Sequence, residues 1–553
     1  MLDKVMINGT DIKSYSIIYG KDSSKSEKTA AYEFAKYIEK TCGEKLEIRD
    51  DSFPEKDYEV VIGNTNRKDA RDYLEEEYDI FTENSSLYIL GGRVRGALYG
   101  VYAFFEKFLG WRWYSPTFEK CTLTEDVNLS DIKLNEKPMF EYRDVYYYSA
   151  FDPLWSVKMK VNGAVTRRLD DELGGGVGYA GEHFVHTFNV FMPIEKYFET
   201  NPEYFALKDG KRNGQFLYTQ LCLTNPDVLR IMTEEVIKRL EENPDARIIS
   251  VSQDDSFVGD SYCHCSECEK IHEEEGSPMG TLLRFVNSIA DSVSERFPNV
   301  AIDTLAYQHT FRPPTITRPR ENVIIRLCTW NPELAYTHEE KENILEALHI
   351  WRDICKRIYI WDYTANFSDY LVTVPNFRNL RPNINLFARN NVRGVFAQGN
   401  YQSESGEFGE LKSYLLAKLL WNPLMSEEEY NWHLDDFLKG YYGKGFESIR
   451  RYIDYTQDIV KGSDASMRGN PLQILPKEKF DYDLCESWWN RALSEAEDED
   501  TRYRIRKSML QLLHWKHFSE GYEDKEEFFK QLREFDITAL REGENVPVPS
   551  SDI

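Results

Sequence analysis

Two adjacent aspartates directly follow a predicted strand, a position where carboxylates can do acid–base chemistry. The segment ARIISVSQDDSF runs from a β-branched strand into Asp254 and Asp255. Two carboxylates this close raise the pKa of one of them, which gives a protonated acid beside an ionised partner. General acid catalysis at a leaving group near neutral pH needs that pairing. The alternative is an ordinary loop, because Gln-Asp-Asp-Ser is also typical of turns.

A second acidic cluster follows a later predicted strand. The segment GVFAQGNYQSESGEFGELKSYLLAKLLWNP indicates a strand, an open Gly/Ser-rich loop and a helix, with Glu404, Glu407 and Glu410 on the loop or the first helical turn. Among these three we prefer Glu410 as a catalytic carboxylate, and we expect Glu407 to bind substrate. The alternative is structural, since carboxylates are favoured at the positive end of a helix dipole.

Aromatic and polar residues at other predicted strand ends favour sugar recognition. Tyr and Trp can cover the apolar face of a sugar ring while polar groups bond to its hydroxyls. Each such residue alone is more often part of a core or a rim, but several strand ends of this kind strengthen the prediction. The candidates are Tyr307, Gln308 and His309 after AIDTLA, Trp330 after IIRLCT, Trp361, Asp362 and Tyr363 after RIYI, and His183 and His186 in GEHFVHTF.

Cysteine spacing predicts a metal site close to the aspartate pair. Three of the nine cysteines, Cys263, Cys265 and Cys268, form a C-x-C-x-x-C run. Thiolates at this spacing can bind one tetrahedral Zn²⁺, for which Cys222 is the preferred fourth ligand and His264 the alternative. Four protein ligands leave no open position for water, so we expect a structural zinc and no cofactor in the chemistry itself. Without metal, the run is three reduced thiols in a loop.

Composition and charge limit the partners. The chain has 553 residues, and 68 Lys and Arg against 94 Asp and Glu give a net charge of −26. This argues against nucleic acid or an anionic membrane as partner, since both attract basic surfaces. No apolar run reaches the roughly 20 residues that a membrane span requires, and the first residues lack the apolar segment of a secretion signal. We therefore expect a soluble, cytoplasmic protein, and the sequence leaves its oligomeric state open.

The predicted elements divide the chain into three parts. Residues 1–135 have the pattern of a small, non-catalytic α/β domain. Residues 136–424 alternate strands and helices, and without a GxGxxG motif this favours a (β/α)₈ TIM-type barrel over an open Rossmann sheet. Residues 425–553 are mostly helical, with a frayed end expected after Gly543. The predicted barrel strands are Tyr142–Tyr148, Ile248–Gln253, Ala301–Tyr307, Val323–Cys328, Arg357–Trp361 and Val392–Gln398.

Together these segments resemble the bacterial family first catalogued as domain of unknown function 4838. Its best-studied members form glycoside hydrolase family 163, endo-β-N-acetylglucosaminidases acting on N-glycans. The resemblance covers residues 180–445 and rests on KYFETNPEYFALKDGKR, QLCLTNPDVL, SVSQDDS, CHCSECEK, LAYQHTFRPP, WDYTANFSDYLVTVPNFRNLRPNINLFARNNVRGVFAQG and ELKSYLLAKLLWNP, in this order. The N-terminal part, with YEFAKYIEK and GALYGVYAFFEKFLGWRWYSP, is similar to the domain that precedes the barrel in α-glucuronidases and family 20 hexosaminidases.

The resemblance implies a retaining glycosidase on a TIM barrel that cleaves β-N-acetylglucosaminide linkages in oligosaccharides, with the substrate's 2-acetamido group as nucleophile. It implies that Asp254 orients the acetamide, that Asp255 protonates the leaving oxygen and that Tyr307 bonds to the acetamide carbonyl. Glu410 is then a substrate-binding carboxylate or, in the conventional mechanism, one of two catalytic carboxylates.

Other functions stay open. An α-glucuronidase-like or other glycosidase would bind uronic acids through cationic groups, for which Arg167, Arg168 and Arg326 are candidates. A non-catalytic carbohydrate-binding protein is a further alternative. A metal-dependent hydrolase is less favoured, because a cluster rich in thiolates leaves no open coordination position. Since no export signal is seen, short oligosaccharides are the expected substrates rather than intact glycoproteins.

Overall fold

The protein has a mixed α/β fold. The computed structural model describes residues 2–69, 71–163, 165, 169–182, 184–522 and 525–547. Small sheets with two helices come first, a parallel sheet with helices follows, and the last part is mostly helical. Within the described residues, no helix is both long and apolar enough to cross a membrane.

The N-terminal part is built on a six-stranded sheet. Its elements are β1 (Val5–Ile7), β2 (Thr10–Asp11), β3 (Ser16–Tyr19), α1 (Lys25–Cys42), β4 (Glu47–Asp50), β5 (Glu59–Ile62), β6 (Tyr78–Glu83), β7 (Ser86–Gly91), α2 (Gly96–Phe108), β8 (Trp111–Ser115), β9 (Phe118–Cys121), β10 (Val127–Leu129) and β11 (Lys133–Glu136). The large sheet has the order β11-β6-β7-β5-β3-β4. Helix α1 begins at a capping box formed by Ser24 and Glu27. It ends at Gly43, whose left-handed φ of 79° closes the last turn.

The central part contains the sheet that carries the candidate chemistry. Its strands are β12 (Tyr142–Tyr146), β13 (Leu207–Lys208), β14 (Lys211–Arg212), β15 (Ile248–Ser250), β16 (Ala301–Ala306), β17 (Val323–Cys328), β18 (Ile358–Tyr363) and β19 (Val392–Gln398). Six of them form one parallel sheet in the order β12-β19-β18-β17-β16-β15, and β13 and β14 form a separate hairpin. All six predicted strands are confirmed, with ends that move by at most three residues.

The parallel sheet curves back on itself, as in part of a barrel. The first strand, β12, pairs with the last, β19. Between β12 and β15 the described residues continue the sheet through isolated parallel bridges, Gly163 with Val177 and Tyr179 with Ile248. Residues 164 and 166–168 lie outside the described part. The structure therefore shows a six-stranded parallel portion of a barrel, and the complete (β/α)₈ arrangement remains a prediction.

Helices cover the outside of this sheet and make up most of the C-terminal part. Those of the central part are α3 (Pro153–Lys158), α4 (Phe188–Phe191), α5 (Ile194–Tyr197), α6 (Pro226–Glu242), α7 (Ser266–Glu275), α8 (Met279–Arg296), α9 (Glu342–Ile354), α10 (Phe377–Arg389) and α11 (Gly409–Trp421). The C-terminal elements are α12 (Glu427–Tyr442), α13 (Phe446–Val460), α14 (Pro471–Ile474), α15 (Tyr482–Ser494), α16 (Glu499–Glu520), α17 (Lys525–Glu534), β20 (Ala539–Arg541) and β21 (Glu544–Asn545).

The last two strands form an antiparallel hairpin, which we call the C-terminal hairpin. It returns to the central part of the fold, where the backbone N–H of Glu542 donates to the Phe367 carbonyl at 3.0 Å. The expected frayed end after Gly543 is therefore wrong for β21, because these residues pair with β20. The pattern of the sequence around this short, charged hairpin contains too few apolar residues to predict strands.

A buried ion pair lies inside the parallel sheet. Asp303 of β16 and Arg326 of β17 are both fully buried, with 2.8 Å between the carboxylate and the guanidinium. The Tyr179 hydroxyl also donates to Asp303, at 2.7 Å. A buried charge is tolerated only when it is paired and hydrogen-bonded, so this contact fixes the two strands relative to each other.

Asp303→Asn is expected to lower the free energy of unfolding by about 3–5 kcal/mol, because it leaves the Arg326 guanidinium buried without a compensating charge. Urea-induced unfolding measures the loss. The matched control is Asp291→Asn, which breaks an ion pair with Arg320 whose side chains are more than half exposed. That change is expected to cost at most about 1 kcal/mol. Equal losses in the two variants would contradict the structural role of the buried pair.

Candidate active site

One cleft opens at the carboxyl ends of the parallel strands. It has a volume of about 1210 Å³. Because the six strands run in the same direction, the residues that follow them meet at the same edge. Its lining includes Tyr146 of β12, Asp255 after β15, Tyr307 after β16, Trp330 after β17, Trp361 and Tyr363 of β18 and Gln398 of β19, together with Arg541, Glu542, Gly543 and Glu544 from the C-terminal hairpin.

Asp255 presents its carboxylate to the cleft. Its Oδ1 atom accepts hydrogen bonds from the Ser256 backbone N–H at 2.9 Å, the Tyr307 hydroxyl at 3.2 Å and the Gln308 side-chain amide at 3.4 Å. Donors from two strand ends thus hold the carboxylate in one orientation. Tyr307 lines the cleft beside it, so the structure brings together two of the residues that the sequence singles out.

Asp254 is turned away from the cleft, so the geometry does not support the role in orienting the acetamide that the resemblance implies for it. Both of its carboxylate oxygens accept from the Asn189 backbone N–H, at 3.1 and 3.0 Å, and the residue is 5% exposed. Burial raises the pKa of Asp254 to about 7, the Asn189 hydrogen bond opposes that rise, and the charge of Asp255 adds to it. Its perturbed pKa therefore reflects mainly its position inside the protein.

Glu542 is a cleft carboxylate that sequence reasoning missed. The C-terminal hairpin carries it, and its Oε1 atom accepts from the Tyr401 hydroxyl at 3.2 Å and from the Gln398 amide at 3.5 Å. Burial raises the pKa of Glu542, the Tyr401 hydrogen bond opposes this, and the charge of Asp255 raises it further. No sequence signal identifies it, because it follows no barrel strand and lies 144 residues after Gln398 in the chain.

The acidic cluster after β19 does not line the cleft, although the predicted catalytic and substrate-binding roles would require it to. Glu407 forms a buried ion pair with Lys412, at 2.7 Å. Glu410 is paired with Lys507 of α16 at 2.6 Å, and the same lysine contacts Glu404. These contacts satisfy the carboxylates within the protein, and Glu410 lies in the first turn of α11 as the structural alternative requires. The geometry therefore supports no direct contact of Glu407 or Glu410 with a ligand.

Aromatic side chains form much of the cleft wall. The Trp361 indole N–H donates to the Gln398 side-chain oxygen at 2.8 Å, and Phe184 stacks on the same indole with the ring centroids 5.6 Å apart. Trp330 meets Tyr363 edge-on at 5.0 Å. Both tryptophans line the cleft, where they can cover the apolar face of a sugar ring.

Only one of the candidate histidines is seen at the cleft. His186 lines it, and its Nδ1 atom bonds with the Gln253 carbonyl at 2.9 Å. Burial lowers the pKa of His186, which favours a neutral ring. His309 is not part of the lining and stacks on Tyr262 at 5.0 Å, and burial lowers its pKa to about 4. His183 lies outside the described residues.

Asp362 also differs from its predicted role in substrate binding. It is buried behind the cleft wall, where it accepts from His338 Nε2 at 2.7 Å and from the Thr329 hydroxyl at 3.1 Å. Successive side chains of a strand point to opposite faces, so Asp362 turns away while Trp361 and Tyr363 face the cleft.

An arginine other than the three predicted candidates lines the cleft. Arg326 is buried in its pair with Asp303, and Arg167 and Arg168 lie outside the described residues. Arg468 lines the cleft instead, with its guanidinium 4.5 Å from the ring centroid of Trp330. Among the described carboxylates, none forms an ion pair with Arg468, so its charge can meet an anionic ligand.

Four thiols lie together beside this site. Their sulfur atoms are all within 4.8 Å of one another, a spacing that suits one tetrahedral metal ion. His264 is engaged elsewhere, because Asp260 holds its Nε2 at 2.6 Å and Glu269 holds its Nδ1. The structure thus brings together the preferred set of four, which we call the thiol cluster: Cys222, Cys263, Cys265 and Cys268.

Comparison with known proteins identifies a family and a shared fold. The family described as Domain of unknown function (DUF4838) matches residues 113–454, more than half of the chain. A GH138 enzyme targeting pectin rhamnogalacturonan II is similar in structure, with a TM-score of 0.52, 10% identity, and coverage of 94% of this chain and 90% of that chain. A GH115 4-O-methyl-α-glucuronidase with specificity for decorated arabinogalactans is also similar in structure. Its TM-score is 0.54 at 12% identity, and the match covers 94% of this chain and 75% of that chain. No curated protein sequence matches the chain.

The pKa of Asp254 makes stability depend on pH. The pKa of about 7 lies above the ordinary value of 3.8, so the folded protein keeps a proton that the unfolded chain has released. Its contribution is favourable at low pH and is lost as the pH rises from about 4 to about 7. Asp254→Asn is expected to remove this dependence, and the variant should gain stability relative to the wild type across that range, by at most about 4 kcal/mol.

Urea-induced unfolding of both proteins at several pH values measures the difference. A difference that stays constant between pH of about 4 and about 7 would show that Asp254 is ionised in the folded protein.

Proposed function

The chain belongs to the DUF4838 family, and we propose that it is a glycoside hydrolase that acts on oligosaccharides in the cleft. One observation carries the proposal: Asp255 and Glu542, from distant parts of the sequence, line the same aromatic cleft. Most glycosidases use a pair of carboxylates that flank the scissile bond. The fold shared with a GH138 and a GH115 enzyme supports this reaction class without selecting a substrate.

In the proposed mechanism Glu542 is the general acid and Asp255 its ionised partner. Burial and the charge of Asp255 both raise the pKa of Glu542, so this carboxyl keeps its proton to higher pH than an ordinary glutamic acid. Asp255 accepts three hydrogen bonds at Oδ1, which hold its carboxylate in one orientation at the cleft. This assignment moves the acid from Asp255, as the sequence predicts, to Glu542.

The finer proposal is cleavage of β-N-acetylglucosaminides with help from the substrate's own 2-acetamido group. Asp255 and Tyr307 lie side by side, so the carboxylate can accept the acetamide N–H while the hydroxyl donates to the carbonyl oxygen. That oxygen attacks the anomeric carbon, the glycosidic bond breaks, and the leaving oxygen takes the proton of Glu542. Water then opens the oxazolinium ring and returns a proton to Glu542, with retention of configuration. The role predicted for Asp254, orientation of the acetamide, passes to Asp255.

The size of the cleft supports an oligosaccharide. Its volume of about 1210 Å³ exceeds the roughly 300–1,000 Å³ of typical small-molecule sites. Trp361 lies on β18 and Trp330 follows the neighbouring strand β17, so two sugar rings can find separate aromatic surfaces. All groups in this mechanism belong to the protein or the substrate, so it needs no cofactor.

Arg468 supports a second candidate, an α-glucuronidase-like activity. Its guanidinium stands over Trp330 at the cleft and has no carboxylate partner among the described residues. Arginine binds carboxylates through paired hydrogen bonds, so an acidic sugar on the Trp330 surface would meet a matching group. The family resemblance favours the acetamido substrate, and this arginine favours the uronic acid.

Aryl glycosides separate these candidates directly. We expect the wild-type protein to cleave the aryl β-N-acetylglucosaminide and a short N-glycan core oligosaccharide, and to leave the aryl β-glucoside and α-glucuronide intact, because only the first two carry a 2-acetamido group. Release of the phenol and chromatography of the products measure the reaction. Cleavage of the glucuronide alone would support the second candidate. If none of the substrates is cleaved and sugar binding is still detectable, a carbohydrate-binding protein is favoured.

The neighbouring aspartates provide a matched control for this experiment. Asp255→Asn should lower kcat by about 10²–10⁴-fold, whereas Asp254→Asn should keep most of the activity, because only Asp255 faces the cleft. Equal losses in both variants would place the chemistry elsewhere or show that the whole loop had moved.

A further inference from the structure

We infer that the thiol cluster binds one structural Zn²⁺ and that this metal fixes the loop that carries Asp255. The four sulfur atoms lie within 4.8 Å of one another, and Cys222 Sγ and Cys265 Sγ are 3.7 Å apart. A tetrahedral site with Zn–S bonds of about 2.3 Å places its sulfur atoms about 3.8 Å apart. The separation of Cys222 Sγ and Cys265 Sγ therefore matches that of a zinc site, and it is far longer than the S–S bond of about 2.05 Å in a disulfide.

The ligands come from segments that are distant in sequence. Cys222 precedes α6, Cys263 and Cys265 precede α7, and Cys268 lies in the first turn of α7. Cys222, Cys263 and Cys268 are buried and Cys265 is half-buried. A closed, sulfur-only set of four ligands is typical of structural zinc, and it leaves no position for a catalytic water.

Hydrogen-bond donors around the cluster suit thiolates. The Leu207 backbone N–H points at Cys263 Sγ, at 3.3 Å. The Thr224 hydroxyl lies 3.2 Å from Cys268 Sγ and 3.7 Å from Cys265 Sγ. Four thiolates and one Zn²⁺ carry a net charge of −2, and outer donors of this kind stabilise that charge in a buried site.

The cluster is linked to the aspartate loop through Gln220, two residues before Cys222. The Gln220 side chain bonds to both backbone groups of Asp254: its amide donates to the carbonyl at 2.8 Å, and its oxygen accepts the N–H at 3.1 Å. Beyond Asp255, the Phe257 N–H donates to the Leu217 carbonyl at 3.0 Å. The loop from Asp254 to Cys263 is thus held at one end by Gln220 and at the other by the metal.

The inference that the cluster binds zinc is independent of the proposed hydrolase activity. The inference that the metal positions Asp255 for catalysis rests on that proposed activity. A displacement of about 1 Å at a catalytic group can cost on the order of 10²-fold in rate. Loss of the metal is therefore expected to lower kcat more than it changes KM. The four cysteines of the thiol cluster are positioning residues, since none of them lines the cleft.

Metal analysis of the purified full chain tests the inference. We expect one zinc per wild-type chain, and loss of that zinc in Cys265→Ser and in Cys222→Ser. The matched control is Cys42→Ser, which removes a half-buried free thiol in α1 and should keep the zinc. A zinc-free wild type whose four cluster thiols react with a thiol reagent in the folded state would overturn the site. A disulfide among these cysteines, or stoichiometric iron in place of zinc, would also overturn it.

Kinetics then test the positioning role. Removal of zinc from the wild type with a chelator should lower kcat by on the order of 10²-fold with little change in KM, and readdition of Zn²⁺ should restore it. Unchanged kcat in a demonstrably metal-free, folded protein would overturn the link to Asp255. The zinc measurement does not depend on turnover, so a failure of the proposed hydrolase activity and a failure of the metal site can be told apart.

Discussion

The cleft depends on the buried ion pair between Asp303 and Arg326. The pair joins β16 to β17, and the Tyr179 hydroxyl extends it to the irregular side of the sheet, where regular strand pairing stops. Aromatic rings surround the guanidinium at 5.5–5.9 Å, and two of them, Phe184 and Phe396, also line the cleft. The floor of the site is therefore a layer of aromatic side chains packed over a compensated charge. Loss of that compensation would disturb the strands and the floor together.

The C-terminal helices complete the site from the other side. Lys507 of α16 is paired with Glu410 of α11, which ties the helical part to the parallel sheet. The chain then continues through α17 into the C-terminal hairpin, which delivers Glu542. Thus Glu410, which the sequence favours as a catalytic group, forms an ion pair with the helix that precedes the Glu542 segment. The family match ends at residue 454, so this delivery of an acid by the last strands is a feature outside the matched segment.

Local patterns predicted the six strands because each strand is an apolar run of its own. The same reasoning placed Asp255, Tyr307 and Trp361 at strand ends. It could not tell which of two adjacent residues faces the cleft. Asp254, beside Asp255, and Asp362, beside Trp361, both turn inward. Nor could it find Glu542, because contacts between residues more than 100 positions apart depend on how the helices dock. The four thiols were predictable, since metal ligands must come from a short list of residue types at close spacing.

In our proposal, Glu542 protonates the leaving group in the cleft that Asp255 also lines. The most direct measurement is kcat/KM of Glu542→Gln on a series of aryl β-N-acetylglucosaminides whose phenols differ in acidity. Our account predicts nearly wild-type rates for the most acidic phenol, which leaves without a proton. It also predicts losses that grow to about 10²–10⁴-fold for the least acidic one. A loss of the same size across the whole series would contradict it and make Glu542 a substrate-binding residue.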